Sequence, residues 1–201
     1  MLGIVFTTPD DASAFLSQYA TDRIDRLEEG TPIALNDLLV AVTGQGKINA
    51  TLATERLLQS HDLDTLVHTG TCTALNEELS VGGVVGASFV LEGDRVELDA
   101  PTYPRIPLEC PFDVDAEGTL VSQDHTPDEE DGLSYWARLA DVRDSTSYAV
   151  AYVAAQHGIP CHVAKAVDSH LKQETETSAE ASEAIAGFLG SVVDAADPTT
   201  E

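Results

Sequence analysis

The stretch VHTGTCTALNEELSVGGVV, Val67 to Val85, decides how the chain is read. An apolar run ends in a turn of glycine and small hydroxyl or thiol side chains, Gly70–Thr71–Cys72–Thr73, and a second Gly-containing apolar run follows. The pattern is that of strand, turn and buried strand. Such a turn is either a plain connection or the floor of a site that holds something small.

Upstream, LGIVF (Leu2–Phe6) reads as a buried strand and TTPDDASAFLSQYA as a helix. Thr8 is placed to cap that helix, Pro9 suits its first position, and Asp10 and Asp11 suit the positive end of its dipole. LLVAVTG (Leu38–Gly44) reads as the next strand. It leads into a helix whose Ala50, Leu52, Ala53, Leu57 and Leu58 form an apolar face. DTLVHTG is a third strand and VGGVVGASFVLE another buried one. From Asp94 to Asp131, Pro101, Pro104, Pro107, Pro111 and Pro127 predict loops around one strand, Gly118–Asp124.

Downstream, DVRDSTSYAVAYVAAQHG predicts a helix packed through Val142, Ala149 and Val153 and closed by Gly158 and Pro160. PCHVAKAVDS reads as a buried strand, and a last helix spans about 177–195. Alternating strands and helices predict an α/β fold with a mostly parallel sheet and helices on both faces, in one domain over residues 1–201. Ligands of such sheets collect at the carboxyl ends of strands, here Thr7–Asp11, Thr43–Gly46, Gly70–Thr73, Ser122–His125 and Asp168–Ser169.

Composition removes several classes of function. A net charge of −25, from 35 acidic against 10 basic residues, repels phosphate backbones and anionic lipid, so neither nucleic acid nor membrane is an expected partner. No apolar run is long enough to span a bilayer and no cationic start precedes one, so a cytoplasmic location is expected. Cys72, Cys110 and Cys161 lack metal-like spacing and fit reduced thiols; no metal or cofactor is expected. TGQGK (Thr43–Lys47) lacks the spacing of a phosphate loop, and Ile48 stands where a magnesium-binding hydroxyl would be needed.

Taken in order, the segments resemble the nucleoside phosphorylase and nucleosidase superfamily, particularly the methylthioadenosine/adenosylhomocysteine nucleosidases. HTGTCTALNEELSVGGVV is similar to the family's TG[ST]AGxL turn and following strand, and TGQGKINATLAT to its SGIGKVNA segment. DSTSYAVAYVAAQHGIPCHVAKAVDS is similar to its D/E-M-E-G-x-A helix, GIP turn and strand ending in [RK]xxSD, and LVSQD to the strand carrying an SGD-type loop.

The resemblance implies a three-layer α/β/α sandwich that cleaves a ribosidic C–N bond with one acid, one base and hydroxyl anchors. The water-activating acid falls on Asp11, which also suffices as a helix N-terminal acid. The proton donor to the purine falls on Ser169 without a gap, or on Asp168 with one residue deleted; Asp168 is favoured because serine is no acid at neutral pH. Thr71, Cys72 and Thr73 fall in the substrate turn, where the last two add bulk. Ser122 and Asp124 fall beside the base. Ser145 and Thr146 fall at the ribose, Thr146 replacing a glutamate.

Residues 1–22 hold no lysine or arginine, which favours water over phosphate as nucleophile, although Arg105, Arg143 or Lys165 could enter the site from elsewhere. Phosphorolysis and a catalytically inactive nucleoside-binding relative remain the alternatives. The family resemblance further implies a homodimer, with the Pro-rich region 101–112 as a candidate for closing a neighbour's pocket.

Overall fold

The computed structural model describes residues 1–19, 28, 30–95, 103–125, 130–171 and 178–196. Thr126, and Asp128 and Glu129 of the acidic run, lie outside the described residues, as do Pro101 and Pro127. The first strand, β1 (Leu2–Phe6), is buried along its whole length because helices cover both of its faces. Helix α1 (Pro9–Tyr19) follows. The Asp11 N–H donates to Thr8 Oγ1 (3.2 Å) and the Thr8 N–H donates to Asp11 Oδ2 (3.0 Å), a reciprocal capping box.

A short hairpin, β2 (Ile33–Leu35) with β3 (Leu38–Val42), precedes α2 (Lys47–Ser60) and β4 (Thr65–Thr69). The predicted turn at Thr71–Thr73 is itself a strand, β5 (Thr71–Ala74), and β6 (Val84–Glu92) follows it. β7 (Arg105–Pro107), β8 (Ala116–Ser122) and α3 (Glu130–Trp136) fill the region read as loops around one strand. The helix expected from Asp141 onward is two elements, β9 (Val142–Asp144) and α4 (Ser147–His157). Val142 therefore packs as a strand residue. Gly158 closes α4 in the left-handed conformation (φ 69°), and its N–H and that of Ile159 reach back to the last carbonyls. β10 (Cys161–His170) and α5 (Ser178–Ala196) are the last of the described elements.

Among the described residues, ten strands form one sheet in the order β2-β3-β1-β4-β10-β5-β9-β8-β6-β7. Its centre is parallel, with β1 between β3 and β4 and β10 beside β4. The other half keeps parallel pairings of β10 with β5 and of β8 with β6 and β9, as expected of a mostly parallel sheet, and adds antiparallel ones. β5 runs antiparallel to β9, and β6 returns to pair antiparallel with β10. The pairings β10–β5–β9–β8–β6–β10 thus close a hydrogen-bonded circuit. Non-local pairings of this kind leave no periodic trace in sequence.

Helices lie on both faces. On one, α1 and α5 bury Phe15, Leu16, Ile185 and Leu189 against Ile4, Phe6, Val40 and Val67. On the other, α2 and α4 bury Ala50, Leu57, Val150 and Ala154 against Val5, Leu39 and Leu66. Leu52, assigned from periodicity to the packed face of α2, instead lies 49% exposed.

Candidate active site

The carboxyl ends of β1, β4, β9 and β10 bring a small set of polar side chains together under the first turn of α4. Asp144 ends β9, and its carboxylate caps α4 by accepting the N–H groups of Thr146 (3.2 Å) and Ser147 (3.1 Å). It also accepts the hydroxyls of Ser122 (2.7 Å) and Ser147 (2.6 Å). Lys165 Nζ lies 3.2 Å from its Oδ2, and the two side chains are 0% and 4% exposed. Burial alone would raise the Asp144 pKa, but Lys165, His68 and the hydroxyls of Ser147 and Ser122 outweigh it and hold the carboxyl at about 2.

Lys165 makes one ion pair and two hydrogen bonds within the protein. Besides the ion pair it donates to Thr7 Oγ1 (3.0 Å) and to the Thr69 carbonyl (3.2 Å). His68 lies beneath, fully buried, with Nδ1 2.9 Å from the Val5 carbonyl and Nε2 3.0 Å from Thr146 Oγ1. Burial first and Lys165 second push its pKa down to about 3 against the pull of Asp144, so the ring is neutral. Gly70 sits above this group at φ 139°, a conformation that side chains resist. A Cβ there would lie 3.0 Å from Asp11 Oδ2, 3.0 Å from Thr7 Oγ1 and 3.2 Å from Lys165 Nζ. The glycine leaves a niche over which carboxylate, hydroxyl and ammonium converge.

The residues singled out from sequence divide into several groups. Asp11 is buried at the Gly70 niche, although its Oδ2 also serves the helix cap. Asp168 belongs to a second group. Val167 pairs with Cys72 and Ser169 with Thr73, so Asp168 is an extra residue in β10 at a bulge, a device that re-aims a side chain. Its Oδ1 accepts the Ser169 hydroxyl (2.6 Å), and Ser169 Oγ lies 3.2 Å from Thr73 Oγ1. Thr71 opens β5, half-buried and opposite Ala166. Cys72 turns away into the apolar cluster of Val85, Leu120, Val142 and Val167, and burial raises its thiol pKa well above the usual range.

Ser122 supports Asp144 and is fully buried. Thr146 is fully buried too, its hydroxyl held among His68, Thr7 and Asp144. Neither offers a free face to a ligand. Ser145 accepts the Gly46 N–H at 3.4 Å. Asp124 is exposed and caps α2 through the Lys47 N–H (2.9 Å). That carboxylate stands where a phosphate loop would hold its phosphate, consistent with the missing motif. Lys47 Nζ lies 2.5 Å from both Glu92 and Asp94, and Asp94 accepts the Asp124 N–H (2.7 Å).

Sequence reasoning did not assign Thr7, His68, Ser147 or the role of Asp144 as a buried anchor. A signal for Lys165 was present: a lysine inside the apolar run AKAV must find a partner, and it stands at the [RK] of the [RK]xxSD pattern.

A sequence model described as Phosphorylase superfamily matches residues 2–128. No curated protein matches the chain in sequence. Among solved structures, the 5′-methylthioadenosine/S-adenosylhomocysteine nucleosidase from Helicobacter pylori superimposes with a TM-score of 0.79 at 17% identity, over 96% of this chain and 97% of that one. The futalosine hydrolase of Helicobacter pylori gives 0.80 at 18% identity, over 96% and 97%. The nucleosidase from Campylobacter jejuni gives 0.75 at 16% identity, over 94% and 96%.

Proposed function

The chain belongs to the phosphorylase superfamily, and from that premise we propose that it hydrolyses the N-ribosidic bond of a purine nucleoside or a 5′-substituted adenosine, releasing the free base. The observation that carries this reading is the Gly70 niche, where the Asp11 carboxylate stands near an ammonium already paired with Asp144 and hydrogen-bonded to Thr7 and Thr69. A phosphate dianion needs free cationic donors. Of the candidate cations, Lys165 is paired with Asp144, Arg105 is exposed over the Phe89 ring at 5.6 Å, and burial lowers the Arg143 pKa against the pull of Asp144 and Asp94. Water suits the niche better than phosphate.

In the proposed reaction Asp11 takes the proton of the attacking water as its oxygen bonds to the anomeric carbon. Asp168 gives a proton to the purine as the C–N bond breaks, so the base leaves neutral. Thr71 and Ser145 contact the ribose, while Thr146 holds the floor from beneath. The nucleosidase and futalosine hydrolase neighbours support the class of reaction; their fold alone does not fix the substrate. A homodimer is proposed with it, joined through the face of α2 and α4 where Ile48, Leu52 and Tyr152 are 74%, 49% and 48% exposed. Sedimentation of the wild type beside Leu52→Glu tests that assembly, which predicts a dimer weakened by the substitution.

Base release from methylthioadenosine, adenosylhomocysteine, adenosine, inosine and futalosine tests the activity. Release that needs no phosphate and falls by about 10²–10⁴ in Asp168→Asn supports the reading. Undiminished release in that variant removes Asp168 from the acid role. The absence of release by folded protein from every substrate favours the binding-only relative, which the burial of Thr146 at the ribose glutamate's position supports.

A further inference from the structure

We infer that Thr7 is a specificity-determining residue that accepts a hydrogen bond from the 2′-hydroxyl of a ribonucleoside, so that the site discriminates against 2′-deoxyribonucleosides. The inference rests on the nucleoside reading above and deepens it.

His68 sets the direction of a hydrogen-bond chain. Its Nδ1 faces the Val5 carbonyl oxygen at 2.9 Å, which can only accept, so Nδ1 carries the ring proton. With the ring neutral, Nε2 is an acceptor, and Thr146 Oγ1, 3.0 Å away, donates to it. The other acceptor near that hydroxyl is Asp144 Oδ2 at 3.2 Å. Whichever of the two receives it, the Thr146 proton points inward. At the 3.1 Å contact between Thr7 and Thr146, Thr7 must therefore donate. Thr7 Oγ1 also accepts from Lys165 Nζ at 3.0 Å. A hydroxyl with its proton committed inward and one lone pair filled has a single lone pair left to offer.

Thr7 is the member of this chain that reaches the strand ends, half-buried where Thr146 and His68 are fully buried. What it presents to a ligand is an acceptor. Its oxygen and Asp11 Oδ2 both lie 3.0 Å from the point where a Gly70 Cβ would stand, so the acceptor sits beside the carboxylate assigned to the water. Water attacks the anomeric carbon, and the 2′-hydroxyl is the sugar donor on the adjacent carbon. A ligand lacking it leaves Thr7 facing an apolar C–H and loses one hydrogen bond.

Calorimetric binding of adenosine, 2′-deoxyadenosine and 3′-deoxyadenosine to wild type, Thr7→Ser and Thr7→Val tests this without requiring turnover. The wild type is expected to bind 2′-deoxyadenosine about 10-fold more weakly than adenosine, as the loss of one hydrogen bond predicts. Thr7→Ser keeps that ratio, and Thr7→Val, checked for folding by its melting curve, brings it close to one. If Thr7→Val does not fold, the wild-type ratio and its retention in Thr7→Ser carry the test.

Equal wild-type binding of adenosine and its 2′-deoxy analogue overturns the inference. So does a preserved ratio in folded Thr7→Val, or a penalty confined to the 3′-deoxy analogue. Binding with the expected ratio but without base release overturns the hydrolytic reading and leaves this one standing. Failure of all three nucleosides to bind overturns it.

Discussion

Among the described residues, two lysines bind carboxylates under opposite conditions. Lys165, without exposure, faces an Asp144 that is 4% exposed, and protein hydroxyls, N–H groups and a carbonyl hydrogen-bond the pair. Lys47 bridges Glu92 and Asp94 at the rim, with side-chain exposures of 15%, 15% and 29%. Burial raises the cost of leaving a charge unpaired, whereas water can stand in at the rim. The buried pair is therefore expected to fix the strand ends in place, and the rim cluster to tie neighbouring loops together weakly.

The largest effect should come from breaking the buried pair. Lys165→Met leaves the Asp144 carboxylate uncompensated and should cost about 3–5 kcal/mol in urea unfolding. A loss below about 1 kcal/mol would mean that the two lysines are equivalent and the contrast is false. Gly70→Ala comes next. It imposes a side chain at φ 139° and drives a Cβ toward Asp11, Thr7 and Lys165, so about 1–3 kcal/mol should be lost, with a greater proportional loss of ligand binding. Unchanged stability and binding would show that the niche has room to spare.

Acid should act on the buried group through His68 and Asp144. His68 has a folded pKa of about 3 against an ordinary 6.5, so between these values the unfolded chain binds more protons and stability falls as pH falls. Asp144, held at about 2 against an ordinary 3.8, contributes stability that is present above 3.8 and lost below it. The difference in unfolding midpoint between wild type and His68→Gln should thus shrink as pH drops from 6.5 toward 3. A difference independent of pH would remove His68 from the account. The smallest effect is that of Lys47→Met, about 1 kcal/mol or less and diminished by added salt.

These contrasts also mark what the sequence made legible. Thr8, Pro9 and Asp11 announced the start of α1 because capping is a local interaction, and Gly158 announced the end of α4 for the same reason. Val142–Asp144 was absorbed into the following helix because a three-residue strand carries no period of its own. β5 read as a turn because its strand character comes from pairing with β9 and β10, distant in sequence.

At the site, Asp11 was legible as an acid after the first strand, but its second role in the cap was separable from catalysis only by geometry. Thr146 could be aligned with a ribose ligand, yet burial assigns its hydroxyl to the floor. The bulge that places Asp168 was not legible, because it is a property of the pairing of β10 with β5 and leaves no local pattern in sequence.

The central claim is that water, and not phosphate, attacks the sugar. Turnover of the best nucleoside in ¹⁸O-labelled water with phosphate present, followed by mass spectrometry of the sugar product, tests it most directly. Hydrolysis predicts free sugar carrying ¹⁸O at the anomeric position, at a rate unchanged when phosphate is removed. An unlabelled sugar 1-phosphate formed only with phosphate would contradict it.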